Sequence, residues 1–253
     1  MEQFTEDTTL EYFLENKEKF ILPVDKVPTD YEIIGLLRSA AVTMTFHPND
    51  FGWADVDGLE FDIEALKFMQ NNPHHLEGPL VNHIALMLYR LRFCDNELTA
   101  REYEILERAI FWSDLGKLAT AKPSPKKTWD DGTPHTTCYG HAEKSVEILD
   151  EATHPVVYVQ HWWYEPVRWL VAEHMNAHKL EEQTAKGKTA MPDFLAPQVE
   201  GLEPWEWPEF DELEIPHVMS LGKKTYNWIK RNHPLLIIKQ KLDEDGRISD
   251  LSF

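Results

Sequence analysis

Between residues 78 and 178 the chain is organised around apolar stripes of helical period, and every stripe carries a histidine or an aspartate on its inner side. This pattern restricts the possible folds. A helix of this kind packs by burying one face, and an ionisable group on that face is carried into the interior, where it needs a partner. In "GPLVNHIALMLYRLRF", residues 78–93, Leu80, Ile84, Leu88 and Leu91 form the stripe, with His83 beside it and about one turn from Leu80 and Met87. "LTAREYEILERAIFWSDLG" opens with Thr99 and Glu102 in the spacing of a capping box and repeats Tyr103, Leu106, Ile110 and Asp114 at helical spacing. Asp114 is therefore expected to project inward, and Gly116 to end the helix in the left-handed conformation. "HAEKSVEILDEA" has His141 at its start, above Ser145, Leu149 and Ala152. "PVRWLVAEHMNAH" has Pro166 in the first turn and Val167, Leu170, Val171, His174 and His178 on one face. "PLLIIKQKLDEDG" ends in Asp243 and Asp245.

The remaining segments read differently. Residues 1–76 mix short helical and strand-like patterns with Asp, Pro and Asn turns, carry no motif, and include one helix, "DYEIIGLLRSAAVTM", with Ile34, Leu37 and Ala41 inward. Residues 118–140, rich in Lys, Pro, Thr and Gly, read as a loop, and residues 181–215 as an irregular Pro- and Trp-rich insertion. Helical patterns resume in "VMSLGKKTYNWIK". The expected class is mainly α: a segment 1–76 packed on the core of a helical bundle spanning 77–253, with the loop 118–140 and the insertion 181–215.

With 253 residues, 42% of them hydrophobic and nine of them Trp, the chain can bury a substantial core. A formal net charge of −19 argues against long nucleic acid or an anionic membrane surface as partner, because both repel it. A small phosphorylated substrate held in a local basic pocket is compatible with that charge. Only Cys94 and Cys138 are present, without paired spacing, which fits a reducing compartment. The opening "MEQFTEDTTLEYF" lacks a signal-peptide pattern and the longest apolar runs are short, so the expected location is the cytoplasm. The sequence leaves homo-oligomerisation open.

His83, Asp114, His141 and His174 come from four separate helices. Neutral imidazole and carboxylate together suit divalent ions such as Mn, Fe, Co, Ni or Zn, with Mg a harder alternative. A lone inward histidine is ordinarily a hydrogen-bonded core residue, and an aspartate at a helix end a solvated acid. The set points further than any member. The ordered segments "NHIALML", "FWSDLGK", "YGHAEKSVEIL", "VRWLVAEHM" and "KLDEDGR" resemble the HD-domain metal-dependent phosphohydrolases, in the variant found in bacterial CCA-adding enzymes and related nucleotide phosphatases and phosphodiesterases. The resemblance covers residues 77–247, about two-thirds of the chain. It implies His83 and Asp114 as metal ligands, Asp243 as the closing carboxylate with Asp245 as the alternative, and His141 and His174 at positions for a second metal or the substrate phosphate. Lys117 matches a lysine near the phosphate. The implied activity is hydrolysis of a nucleotide, a cyclic nucleotide or a small phosphodiester, with Asp114, Lys117 and His141 catalytic and with Lys117, Lys122, His141 and His174 binding substrate.

One position departs from that pattern. Where the family has the histidine of its His-Asp pair, this chain has Ser113. A serine hydroxyl is a poor metal ligand at neutral pH. Three outcomes follow: weak binding through His83, Asp114 and Asp243; a shift of the metal toward His141 and His174; or a non-catalytic relative that binds a nucleotide or a protein. Lys122, Lys126 and Lys127 add a positive patch or a solvated loop. His178, one turn after His174, reads as a ligand or as a surface histidine. In "HWWYEPVRW", Trp162, Trp163, Tyr164 and Trp169 read as core packing or as a base-stacking platform. Trp205 and Trp207 read as a lid or a partner contact.

Overall fold

Every residue of the helix Leu80–Leu91 is buried, the polar Asn82, His83 and Arg90 included. Such a helix needs neighbours on all sides, and the chain is arranged around it. A computed structural model of the chain describes residues 2–5, 7–48, 53–94, 98–153, 161–178, 180–186, 196–208, 212, 226–227, 230–231 and 233–249. In chain order the α-helices are α1 (Leu10–Glu15), α2 (Asp30–Ala40), α3 (Leu80–Leu91), α4 (Ala100–Ser113), α5 (Lys117–Thr120), α6 (His141–Thr153), α7 (Tyr164–Ala177), α8 (Leu180–Ala185), α9 (Ala196–Val199) and α10 (Pro234–Asp245). Short 3-10 helices cover Lys17–Phe20 and Ile63–Lys67. α2 and α10 pack on α3, α4 packs on α7, and α6 packs on both α4 and α7.

Strands β1 (Phe46–Pro48), β2 (Trp53–Val56) and β3 (Leu59–Asp62) form an antiparallel meander in the order β1-β2-β3. Asp57 and Gly58 link β2 to β3 with φ of 54° and 85°. Two positive φ values in a two-residue hairpin are the type I′ turn that Asp-Gly favours. Strands β4 (Lys122–Thr128) and β5 (Pro134–Thr137) make a separate antiparallel pair. The expectation of a mainly α bundle is therefore corrected. With about 53% helix and 12% strand and two small sheets, the composition is mixed α and β. The region 118–140 is not a plain loop. Its strands are hard to read because Ser124 is the one buried position in β4, so no apolar alternation marks the pair.

One continuous apolar cluster joins both ends of the chain. Phe13, Phe20 and Ile33 share it with Leu86, Trp112, Leu170 and Leu236. The expected helix near residue 34 is α2, capped by reciprocal Thr29–Glu32 bonds, with Ile34, Leu37 and Ala41 buried. Glu107 on α4 ties α2's C-terminal end to the centre: its carboxylate accepts from the backbone N–H groups of Val42, Thr43 and Met44. Among the described residues no helix is long and apolar enough to cross a membrane. The expected helix in "VMSLGKKTYNWIK" and much of the 181–215 insertion lie outside the described residues.

Candidate metal centre

α4 is capped as its sequence predicts: Thr99 accepts from the Glu102 N–H while Glu102 accepts from Thr99. The helix stops at Ser113, leaving Asp114 as C-cap with φ −110° and ψ 0°. The Ser113 hydroxyl donates to the Ala109 carbonyl within its own helix. That bond occupies the hydroxyl's one proton within the helix.

Gly116 does not adopt the left-handed conformation expected for it; its φ is −71°. A glycine is required there by proximity. A Cβ would stand 2.4 Å from the His141 carbonyl oxygen and 2.7 Å from the Ser145 nitrogen. The Gly116 N–H donates to the Ser145 hydroxyl at 2.9 Å. The start of α6 thus lies directly against the turn after α4, which brings His141 to Asp114. Gly246 plays a similar part at the end of α10, where a Cβ would meet Met87 of α3 at 2.8 Å. That approach places Asp243 beside His83.

Asp114 sits between two groups. Its Oδ1 is 3.2 Å from Nε2 of His141, 3.8 Å from Nε2 of His174 and 3.2 Å from Nζ of Lys117. Its Oδ2 is 3.4 Å from Nε2 of His83, which in turn lies 2.9 Å from Oδ1 of Asp243. The His141–His174 pair is the more informative half. Nδ1 of His141 faces the Cys138 carbonyl at 2.8 Å, and Nδ1 of His174 faces the Val171 carbonyl at 2.7 Å. A carbonyl only accepts, so both Nδ1 atoms carry protons. In the neutral rings both Nε2 atoms then present lone pairs, and they lie 3.0 Å apart. Two lone pairs and a carboxylate oxygen at this separation call for a cation. A shared proton or a metal ion meets that need, and the nitrogen and oxygen donors suit a divalent transition ion.

Among the described residues, three groups of side chains lie close enough to hold a metal ion, each with ligand atoms within 4.8 Å of one another: Asp114, His141 and His174; His83, Asp114 and Asp243; and His75, Glu77 and His83. Electrostatics follow the same geometry. Burial would raise the Asp114 carboxyl, but Lys117, His141 and His83 outweigh it and hold it well below the carboxylate range. Asp243 is likewise held low against burial by its bond to His83 and by Arg247. Burial drives His174 down to about 3, aided by the charge of Lys239, so the ring is neutral near pH 7. Burial opposes the charge on His83, but Asp243 and Glu77 prevail and raise it.

The expected residues separate into two sets. His83, Asp114, Lys117, His141, His174 and Asp243 come together. Lys117 also donates to Gln70 at 3.0 Å. Asp245, the alternative closing carboxylate, turns away to pair with Arg90 at 2.8 Å. Lys122, Lys126 and Lys127 are exposed on β4. His178 reaches only to 3.7 Å from Asp243. Trp163 and Trp169 are buried, whereas Trp162 is exposed under the Arg101 guanidinium. Trp205 packs on Trp169 and on His233, which caps the start of α10. Asp243 lies near the other end of that helix, about 15 Å from His233 at about 1.5 Å per residue. Two grooves lie apart from it, one of about 690 Å³ beside Phe61, Leu118 and Ile148 and one of about 510 Å³ beside Ile237 and Thr184.

Three participants escaped the sequence reading. Glu77 is fully buried, accepts from the Ile248 N–H at 3.1 Å, faces Nδ1 of His75 at 2.7 Å, and lies 3.0 Å from Nδ1 of His83 without good alignment. His75 accompanies it, lowered to about 4 by burial and then by Lys117. Lys239 is buried on α10 one turn before Asp243. A signal was available for Lys239, since it lies at i−4 from the expected ligand Asp243. For Glu77 the signal was only its place before the turn at Gly78. No protein-family model, curated protein or solved structure matches the chain.

Proposed function

We propose that the protein is a metal-dependent phosphohydrolase acting on a nucleotide, a cyclic nucleotide or a small phosphodiester. What carries this reading is the placement of Asp114, with one carboxylate oxygen toward the facing Nε2 atoms of His141 and His174 and the other toward His83 and Asp243. His83, Asp114, Asp243, His141 and His174 would hold the metal. When bound, a divalent ion supplies Lewis-acid polarisation of a phosphoryl oxygen and acidifies water. The protein's own groups do the rest. The backbone carbonyls of Cys138 and Val171 fix His141 and His174 as Nδ1–H tautomers, leaving Nε2 free to bind or to accept a proton. Lys117, 3.2 Å from Asp114, places a cation beside the centre for a phosphoryl oxygen. Burial of Asp114, His141 and His174 limits the water around them and strengthens each of these interactions.

The test is hydrolysis of a panel of esters with Mn, Co, Ni or Zn added, read as phosphate released from nucleotides and as the phosphomonoester formed from cyclic nucleotides and phosphodiesters, comparing wild type with Asp114→Asn. Metal-dependent hydrolysis that the variant loses supports the reading; no hydrolysis of any ester with any ion sinks it. Ser113 favours a second reading, a weakened or inactive HD-like protein that binds a nucleotide or a protein partner. Its hydroxyl is committed to Ala109, so one ligand of the family's set has no substitute at that position.

A further inference from the structure

Lys239 is 2% exposed, yet among the described residues it has no hydrogen bond and no carboxylate within 4.0 Å. An ammonium taken out of water without a partner is costly. The other buried cations near the centre, Lys117 and Arg90, are matched, the first by Asp114 and Gln70 and the second by Asp245. Lys239 lies one helical turn before Asp243 on α10; burial lowers its pKa, and the charges of Asp243 and Asp114 oppose that shift. Lys117 touches Asp114 directly, whereas Lys239, four residues before Asp243 on the buried side of α10, has no such contact among the described residues. Retaining an unpaired lysine at a position only 2% exposed makes physical sense if an anion completes the site.

We infer that Lys239 is the oxyanion-binding residue of this centre, donating from Nζ to a non-bridging oxygen of a phosphate held beside Asp114. The inference rests on the phosphohydrolase reading and gives it a specific ligand contact. It also reverses the usual expectation for a buried position. Replacing an unpaired buried lysine by an apolar side chain of similar length removes a desolvation cost, so Lys239→Met raises stability or leaves it unchanged while impairing phosphate binding.

The experiment uses the full-length protein loaded with Co(II) and titrated with inorganic phosphate by calorimetry, with Co(II) affinity and Tm measured beside it. For Lys239→Met we expect a Tm at or above wild type, Co(II) affinity no weaker than wild type, and phosphate affinity lowered at least about tenfold. Lys239→Arg, which keeps the cation, should recover part of the phosphate affinity. Equal phosphate affinity in wild type and Lys239→Met overturns the assignment alone. A fall in Tm with loss of Co(II) binding in Lys239→Met, unrescued by Arg, marks a structural lysine and overturns it too. A wild type that holds Co(II) but no phosphate removes the phosphohydrolase reading and this assignment together.

Discussion

Gly116→Ala tests how the centre is assembled. The added methyl would lie 2.4 Å from the His141 carbonyl oxygen and 2.7 Å from the Ser145 nitrogen, both backbone atoms of α6 that cannot rotate aside. Ordinary contact begins near 3.4 Å, so the start of α6 must retreat by about 1 Å, the difference between 3.4 and 2.4 Å. Overpacking of this kind costs about 1–3 kcal/mol, and loss of the Gly116–Ser145 hydrogen bond adds about 1 kcal/mol. For a chain of this size the sum corresponds to a Tm lower by roughly 5–15 °C. The same retreat takes His141 from 3.2 Å to about 4 Å from Asp114, and metal affinity should fall at least about tenfold. Gly35→Ala is the control. Gly35 is exposed on α2 with nothing within 4 Å of an added Cβ, and the change should stabilise by up to about 1 kcal/mol. Thermal melts and Co(II) titrations on both variants give the answer. If Gly116→Ala melts with wild type and binds Co(II) as tightly, the close approach of α6 is not what places His141.

Further outcomes follow from individual contacts. Ser113→Ala removes a hydroxyl bonded only to Ala109, so it should leave metal affinity unchanged by equilibrium dialysis; a clear loss would make Ser113 a ligand. Asp245→Asn weakens the pairing with Arg90 and should cost roughly 1 kcal/mol in urea unfolding without changing metal content, unlike Asp243→Asn, which should lower it. The metal-free protein should lose stability on acidification below about pH 6.5. His174 and His75 are held down to about 3 and about 4, so the unfolded chain takes up their protons first. Each contributes a slope of up to about 1.4 kcal/mol per pH unit between its unfolded and folded pKa. The depressed carboxyls of Asp114 and Asp243 extend the loss to still lower pH. His83, raised in the fold, acts in the opposite sense: its contribution is complete below about 6.5 and is lost as pH rises through its folded value. Urea titrations across pH 4–8 that show constant stability would contradict these environments.

The helices were legible where an apolar stripe had to meet a core. α2, α3, α4, α6, α7 and α10 each announce themselves by period, and the two Thr-x-x-Glu capping boxes mark the starts of α2 and α4. The β4–β5 pair was hidden because an exposed hairpin carrying Pro123, Pro125 and three lysines has no buried alternation to display. Local pattern also suggested a left-handed cap at Gly116, whereas the residue is glycine because another helix passes against it. The inward histidines and Asp114 could be found because each lies on a stripe. Glu77 could not be placed in the same way, since its position depends on how the segment before α3 meets the chain after α10 at Ile248, whereas Lys239 was within reach, one turn before Asp243. Asp243 and Asp245, two residues apart, were separated only by packing: one faces His83 and the other Arg90.

The central claim is that Asp114 and the facing imidazoles hold a divalent ion. The most direct measurement is anomalous diffraction at the cobalt edge from crystals grown with Co(II). The account requires a peak within about 2.0–2.3 Å of Nε2 of His141, Nε2 of His174 and a carboxylate oxygen of Asp114. A peak only at other residues, or none after exposure to Co, Mn, Ni or Zn at their respective edges, would contradict it.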